Sequence, residues 1–222
     1  MPRVTKPSVA PLMESVRQEY VIPAAEPKLS RGYLTAKRLF DIFLAAFLLL
    51  LFSVPMLILG ILVFFTSKGP AFYRQERLGL RGKPFMLIKF RSMRHDAEKD
   101  GPSWAKDDDD RCTRFGKFLR KTRLDELPQF WNILVGDMSF VGPRPERAVF
   151  YEEFETYIHG FRNRLAVTPG LTGWAQVNGG YDLLPEEKIV YDMEYIRNCS
   201  IRMDLKCLLM TFRVVITQKG AR

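Results

Sequence analysis

The chain has 222 residues, 47% hydrophobic and 27% charged, a composition that excludes a disordered chain and allows one well-buried domain with a short appendage. Its net charge of +9 favours anionic partners: phosphates, nucleic acid or an anionic bilayer surface. The three cysteines form no CxxC pair and the two histidines lie far apart, which indicates reduced thiols and argues against a zinc site of the usual kind.

Three regions follow one another along the chain. Residues 1–36 carry five prolines among scattered charges, which predicts a flexible N-terminal tail. Residues 37–68 form a membrane segment, because residues 42–65 contain no charge and as one helix would reach ~36 Å, enough for ~30 Å of hydrocarbon. Residues 69–222 then form the functional domain.

The membrane segment has basic residues at both ends, with Lys37 and Arg38 before it and Lys68 after it. The positive-inside rule therefore favours a cytoplasmic position for both ends. Ser53 and Pro55 lie near the middle, where proline removes a helical hydrogen bond and bends the helix. The pattern fits a re-entrant helix-break-helix and, equally, a kinked helix that crosses once.

After the membrane segment, the sequence predicts a β-hairpin with strands at residues 71–79 and 83–93. On the second strand Lys89 and Arg91 share a face, which suits phosphate binding; attraction to anionic lipid is the alternative. The acidic run at residues 107–110 is interpreted as a solvated loop rather than a metal site.

Helical periodicity dominates the remaining residues. No alternation of strands and helices indicates a Rossmann sheet, so the predicted fold is mainly α with a short β-hairpin (α+β). Helices are predicted at residues 114–122, 124–134, 146–159, 185–198 and 204–218.

Two neighbouring carboxylates, Asp125 and Glu126, lie just before Pro128, a residue tolerated only near a helix start. The dipole of that helix would help to keep Asp125 ionised. An ionised carboxylate can attack phosphorus and form an acyl phosphate, whereas a capping role for Asp125 is the more common one.

Two further segments are candidates for substrate contact. Pro143 and Pro145 stiffen the loop around Arg144, which suits bidentate phosphate binding; an internal ion pair is the alternative. The glycine-rich residues 169–180 include Gln176 and could cradle a nucleotide or sugar, or else form a compact core turn around Trp174.

Taken together, these segments resemble the bacterial monotopic phosphoglycosyl transferases, which start the assembly of exopolysaccharide, capsule and other glycoconjugates. The resemblance covers about residues 37–219, with several long motifs in the right order. They are KRLFD at 37–41, KFRSM at 89–93, LDELPQFWNILVGDMSFVGPRP at 124–145, TPGLTGWAQVNG at 168–179 and MDLKCLLMT at 203–211.

The resemblance implies a reaction and its residues. Asp125 is the expected nucleophile, which takes the phosphosugar from a UDP-sugar, releases UMP and passes the phosphosugar to polyprenol (undecaprenyl) phosphate. Glu126 is its expected dyad partner, and both carboxylates are expected to hold Mg²⁺. Lys89, Arg91 and Arg144 match the family's basic positions, and Gln176 lies in a motif expected to contact the substrate.

The resemblance also implies a re-entrant membrane helix, a catalytic domain on the cytoplasmic face of the bacterial inner membrane, and contact with its lipids. The family usually has adjacent serine and proline residues at this break, whereas here Val54 separates Ser53 from Pro55. Gly180 stands where many members have arginine, so the resemblance does not imply which sugar is transferred. It does not imply an oligomeric state either.

Asp192 and Asp204 match acidic positions of the family but receive no role from the sequence. A noncatalytic membrane scaffold with the same fold is the alternative to an enzyme, and the intact Asp125–Glu126 pair and Arg144 argue against it. Binding of nucleic acid has only the net charge in its favour, because no recognition module is present, and we expect none.

Overall fold

The computed structural model describes residues 19–24, 26–27, 29–66, 68–99, 101, 109–179 and 183–217. Within these residues helices dominate, with three two-stranded sheets, which confirms a mainly helical fold with a short hairpin. Gly180 and most of residues 1–36 lie outside the described ranges. The elements in chain order are β1 (Tyr20–Val21), α1 (Arg31–Leu51), α2 (Ser53–Thr66), β2 (Phe72–Leu78), β3 (Pro84–Phe90), α3 (Arg114–Lys121), α4 (Gln129–Val135), β4 (Ser139–Val141), α5 (Ala148–Glu155), β5 (Ile158–His159), β6 (Gly170–Thr172), α6 (Trp174–Asn178), α7 (Pro185–Arg197) and α8 (Ile201–Thr217).

Helices α1 and α2 form a bent pair, with an angle of 62° between them. The break falls at Phe52 because Pro55 has no N–H to offer the carbonyl of Leu51, and its ring would clash there. The Ser53 hydroxyl donates to the Leu50 carbonyl at 2.7 Å and so satisfies one of the carbonyls at the end of α1. Among the described residues no single helix has the length and hydropathy to cross a bilayer, whereas this bent pair passes that test jointly.

The base of α1 is fixed to the rest of the protein by its charged side chains. Lys37 forms an ion pair with Asp204 of α8 at 2.8 Å. Asp41, buried in α1, accepts hydrogen bonds from the Ser139 hydroxyl and the Phe140 amide, both at 3.1 Å. These charges hold the helix pair in one orientation relative to the domain.

Arg38 makes the third contact of this base. Its guanidinium donates to the carbonyls of Ile133 and Leu134, both at 2.7 Å, and so satisfies the C-terminal end of α4. Gly136 ends α4 with φ = 100°, a conformation that favours glycine. Helix α1 therefore supports the short helix that follows Asp125 and Glu126.

The hairpin pairs β2 with β3 from Phe72–Phe90 to Leu78–Pro84. The predicted second strand is too long, because β3 ends at Phe90. Arg91 lies beyond the strand, and its backbone amide donates to Ala71 at 2.9 Å. The shared face that was predicted for Lys89 and Arg91 stays a prediction, because the strand itself ends between the two residues.

The helix predicted at residues 146–159 is also too long. Helix α5 covers Ala148–Glu155, and Ile158–His159 pair as β5 with β1 in parallel. Strand β1 belongs to the predicted tail, so residues 20–21 are bound to the domain rather than loose. The predicted helices at 114–122, 185–198 and 204–218 are confirmed as α3, α7 and α8, although α8 begins at Ile201.

The core of the domain is formed where α4, α5, α7 and the parallel β4–β6 pair meet. Its fully buried side chains include Tyr151, Ile189 and Tyr195. The Tyr195 hydroxyl donates to Asp204 at 2.7 Å, which gives this acidic residue a structural position between α7 and the base of α1. This core supports one wall of a large cavity.

Candidate active site

A cavity of about 1310 Å³ lies between the hairpin, the turn before α4, the Pro143–Pro145 loop and the helices α1 and α8. The structure brings all of the predicted catalytic and substrate-binding residues to its wall. They are Lys89, Arg91, Asp125, Glu126, Arg144 and Gln176.

Asp125 and Glu126 lie in a 3₁₀ turn, Leu124–Glu126, immediately before α4. Arg123 precedes the turn with φ = 59°, a left-handed conformation that reverses the chain after α3. The predicted position of both carboxylates, just before the start of a helix, is confirmed. Asp125 is buried, with 6% of its surface exposed.

The environment of Asp125 opposes ionisation. Burial, followed by the charge of Glu126, raises the pKa of Asp125 to about 6, while Lys89, Arg120 and Arg144 act in the opposite direction. These effects act against the helix dipole, which was expected to help keep this carboxyl ionised. Helix α4 is only seven residues long, and desolvation is the larger effect.

Glu126 behaves differently because it has a direct cationic partner. The Arg144 Nη2 atom lies 2.5 Å from Glu126 Oε1. Burial would raise the pKa of Glu126, but Arg144 and then Arg123 outweigh it, so the pKa is lowered. Arg144 thus forms an internal ion pair, which was one of the two alternatives for this arginine. It also lines the cavity, and phosphate binding by it stays a prediction.

Three backbone carbonyls hold the loop that carries Arg144, since prolines offer no N–H groups. The Pro143 carbonyl accepts from the Gly170 amide at 2.9 Å. The Arg144 carbonyl accepts from Arg164 at 3.0 Å, and the Pro145 carbonyl accepts from Arg77 at 3.2 Å. The loop is therefore fixed along its whole length.

The two basic residues of the KFRSM segment lie at different parts of the cavity. Lys89 is close enough to the dyad to lower the pKa of both carboxyls, and its ammonium lies 5.9 Å from the Tyr73 ring centroid. Arg91 is buried and donates to the Val63 carbonyl of α2 at 3.4 Å. Lys89 therefore lies near the dyad, and Arg91 connects the cavity wall to the α1–α2 pair.

The glycine-rich segment combines a core turn with a cavity wall. Trp174 is buried, donates to Glu194 at 2.8 Å and has the Lys206 ammonium 4.5 Å from its ring centroid. Gln176, two residues further along α6, lines the cavity, and its amide nitrogen and oxygen are buried without a hydrogen-bond partner. A buried, unsatisfied amide is costly, which suits a residue that awaits a ligand.

Arg120 is a site residue that sequence reasoning missed. It lies on α3, lines the cavity and lowers the pKa of Asp125, and its Nη1 lies 3.0 Å from the Cys112 sulfur. The only local signal was its position five residues before Asp125, in a basic run that also suits a solvated helix face.

Asp125 and Glu126 are the carboxylates that were expected to hold a metal. No group of three or more His, Cys, Asp or Glu side chains is placed to hold a metal within the described residues. Of the acidic run, Asp109 is buried and paired with Arg111 at 2.5 Å, so at this residue the expected solvated loop is wrong. Two carboxylates suit Mg²⁺ when substrate phosphates and water complete its coordination.

Apolar side chains also line part of the cavity. Leu44 and Leu48 of α1 and Phe52 at the bend face it, together with Leu208 and Phe212 of α8. A molecule with a phosphate and a long hydrocarbon chain can place its phosphate near the dyad and its chain along these side chains. The site can therefore accommodate one polar and one amphipathic substrate.

Several known proteins have sequences similar to this chain, and their names describe transfer of a sugar phosphate from a UDP-sugar to undecaprenyl phosphate. A model of the bacterial sugar transferase family matches residues 32–218. The UDP-N-acetylgalactosamine-undecaprenyl-phosphate N-acetylgalactosaminephosphotransferase of Aeromonas hydrophila is 42% identical over 193 residues, which are 86% of this chain and 46% of the relative. The UDP-glucose:undecaprenyl-phosphate glucose-1-phosphate transferase of Escherichia coli (strain K12) is 41% identical over 214 residues, 94% of this chain and 46% of that protein.

A shorter relative matches over most of its own length. The UDP-glucose:undecaprenyl-phosphate glucose-1-phosphate transferase of Caulobacter vibrioides is 40% identical over 192 residues, which are 83% of this chain and 71% of the relative. The chain spans less than half the length of the Aeromonas and Escherichia proteins. The matches confirm the resemblance drawn from the motifs: the chain belongs to the bacterial sugar transferase family.

Proposed function

We propose that the protein transfers a sugar-1-phosphate from a UDP-sugar to undecaprenyl phosphate, through a covalent phosphosugar on Asp125. The observation that carries the proposal is the Asp125–Glu126 dyad, which lines one cavity together with basic side chains and a set of apolar side chains from α1 and α8. The names of the relatives supply the two substrate classes. The reaction would be the first membrane step in making an exopolysaccharide, a capsule or another glycoconjugate.

The first step is an attack by the Asp125 carboxylate on the phosphorus that bears the sugar. A bond forms between the carboxylate oxygen and phosphorus, the bond from phosphorus to the bridging oxygen breaks, and UMP leaves with that oxygen. Arg144, Arg120 and Lys89 are the cations near the dyad, and they offset the repulsion between a carboxylate and a diphosphate.

The second step returns Asp125 to its starting form. An oxygen of undecaprenyl phosphate attacks the same phosphorus, and the bond between phosphorus and the Asp125 oxygen breaks. The products are the lipid-linked diphosphosugar and a free carboxylate. Burial of Asp125 supports this route, because a phosphosugar held away from water is protected from hydrolysis.

Asp125 and Glu126 are the residues that would hold Mg²⁺. When bound, this ion would neutralise diphosphate charge and polarise the phosphorus–oxygen bond. Glu126 is oriented by Arg144, so the arginine sets the position of one donor oxygen.

The α1–α2 pair supports a monotopic location in the inner membrane, with the domain on the cytoplasmic face. Large apolar side chains on this pair are exposed, including Phe43 (71%), Leu50 (77%), Leu57 (65%) and Phe65 (80%). Exposed apolar area of this kind favours hydrocarbon over water. The 62° bend supports a hairpin that enters and leaves through one leaflet.

Release of UMP tests the proposal. Membranes with the protein, Mg²⁺ and undecaprenyl phosphate are incubated with a panel of UDP-sugars. We expect UMP from at least one donor, and no UMP from Asp125→Asn protein present at the same level in the membrane. Glu152→Gln, an exposed change on α5, is the matched control and should keep full activity.

Two results would overturn the proposal. Full activity of Asp125→Asn would remove Asp125 as the nucleophile. Absence of UMP with the whole donor panel would favour the noncatalytic scaffold.

A further inference from the structure

We propose that the buried ion pair of Arg164 and Asp192 is a positioning device for Arg144, because it holds the backbone of the Pro143–Pro145 loop from behind. The inference rests on the proposed function, since it assigns a task in that reaction to two residues outside the dyad. It also gives a role to Asp192, for which the sequence offered none.

The geometry of the pair is restricted on several sides. Arg164 Nε donates to Asp192 Oδ2 at 2.7 Å, and both side chains are 1% exposed. Arg164 Nη2 donates to the Arg144 carbonyl at 3.0 Å. The guanidinium lies 4.8 Å from the centroid of the Phe161 ring, which fixes its plane. One side chain thus joins α7 to the loop.

Stability alone does not explain this arrangement. Arg164 Nη1 and Asp192 Oδ1 are buried and have no hydrogen-bond partner. Burying two charges is costly, and the cost is recovered only when the remaining donors and acceptors are satisfied. A pair selected for stability alone would be bidentate or apolar. The hydrogen bond to the Arg144 carbonyl is the feature that an apolar pair could not reproduce.

A short path leads from that carbonyl to the dyad. Pro143 and Pro145 restrict the backbone on either side of Arg144, so fixing its carbonyl also fixes the direction of its side chain. That side chain meets Glu126 at 2.5 Å. A displacement of about 1 Å in such a group can cost on the order of 10²-fold in rate.

Two variants test the assignment. Arg164→Met combined with Asp192→Leu removes both charges together and keeps similar volumes, so no unpaired charge stays buried. Arg164→Lys keeps the charge opposite Asp192 but replaces the planar fork by a single ammonium. We expect both proteins to fold, and kcat for UMP release to fall on the order of 10²-fold in both, with a smaller change in KM for the UDP-sugar.

The split between kcat and KM separates positioning from a structural role. With Arg144 displaced, the UDP-sugar can still bind but the dyad is no longer aligned, so the loss should appear in kcat rather than in KM. Ile196→Ala, a core change on the same helix α7, should lower Tm and leave kcat unchanged.

Each outcome decides the proposal. Wild-type kcat in the double variant would overturn it. An equal loss of kcat in Ile196→Ala, or failure of both variants to fold, would assign the pair to stability and also overturn it. Absence of UMP release by the wild-type protein would instead overturn the proposed function, which keeps the two failures distinguishable.

Discussion

Arg144 is paired with Glu126 at 2.5 Å and has no comparable contact with the neighbouring Asp125. The two adjacent carboxyls therefore differ: the pKa of Glu126 is lowered, whereas burial and the charge of Glu126 raise the pKa of Asp125 to about 6. Environments that push the pKa values of neighbouring acids apart are typical of sites that give them different tasks. The expected tasks are nucleophile for Asp125 and organising partner for Glu126.

Charges of opposite sign around Asp125 should move the acid limb of the rate profile in opposite directions. Glu126→Gln removes a negative neighbour, which lowers the pKa of Asp125 and moves the limb to lower pH. Arg120→Gln removes a positive neighbour and should move the limb to higher pH. Single-turnover release of UMP between pH 5 and 8 measures both shifts, and kcat should also fall in both variants.

The pair of variants contains its own control. A general loss of structure would move the acid limbs of the two variants in the same direction, or would move neither. Shifts of the same sign would contradict Asp125 as the group whose ionisation limits the rate.

Asp125→Asn should stabilise the protein at the pH where it abolishes activity. The folded-state pKa is about 6 against an ordinary value of 3.8, so the native state binds more protons between these values and stability falls as pH rises through them. Above pH 6 the wild type carries the whole cost, on the order of 1 to 3 kcal/mol. Tm should therefore rise in the variant at pH 8.

The comparison at low pH is the check on this cause. Near pH 4 the wild-type carboxyl is protonated in the native state, so the gain in Tm from Asp125→Asn should be small. A gain of equal size at pH 4 and pH 8 would contradict burial of a charged carboxylate as its origin.

Local motifs predicted the dyad and Arg144 because prolines beside them restrict the backbone over a few residues. Arg164 was not singled out and Asp192 received no role, since their pairing joins segments 28 residues apart through the tertiary fold. The raised pKa of Asp125 was missed for the same reason: desolvation depends on what surrounds the turn. The ends of β3 and α5 were misplaced because the hydrophobic periodicity of the sequence does not show which tertiary contacts end a strand or a helix.

Gly136→Ala should weaken the contact between α1 and α4. Its φ is 100°, and an added Cβ would lie 3.2 Å from Arg38 Nη2. A left-handed conformation costs about 1–2 kcal/mol for a residue with a side chain, so Tm should fall. Gly32→Ala, a glycine of α1 with open space around it, is the matched control and should leave Tm unchanged or slightly higher.

Single cysteines on either side of the α1–α2 pair test the membrane topology. In a background in which Cys112, Cys199 and Cys207 are replaced, Ser30→Cys and Lys68→Cys should both react with an impermeant thiol reagent only from the cytoplasmic side. Labelling of the two positions from opposite sides would contradict the re-entrant hairpin and favour a helix that crosses once.

The most direct measurement is mass spectrometry of the protein after incubation with a UDP-sugar that it uses and without any lipid acceptor. We expect the chain to gain the mass of one phosphosugar, on the peptide that contains Asp125. The adduct should disappear when undecaprenyl phosphate is added, and Asp125→Asn should never carry it. Steady release of UMP with no adduct on Asp125, or an adduct on another residue, would contradict the covalent route.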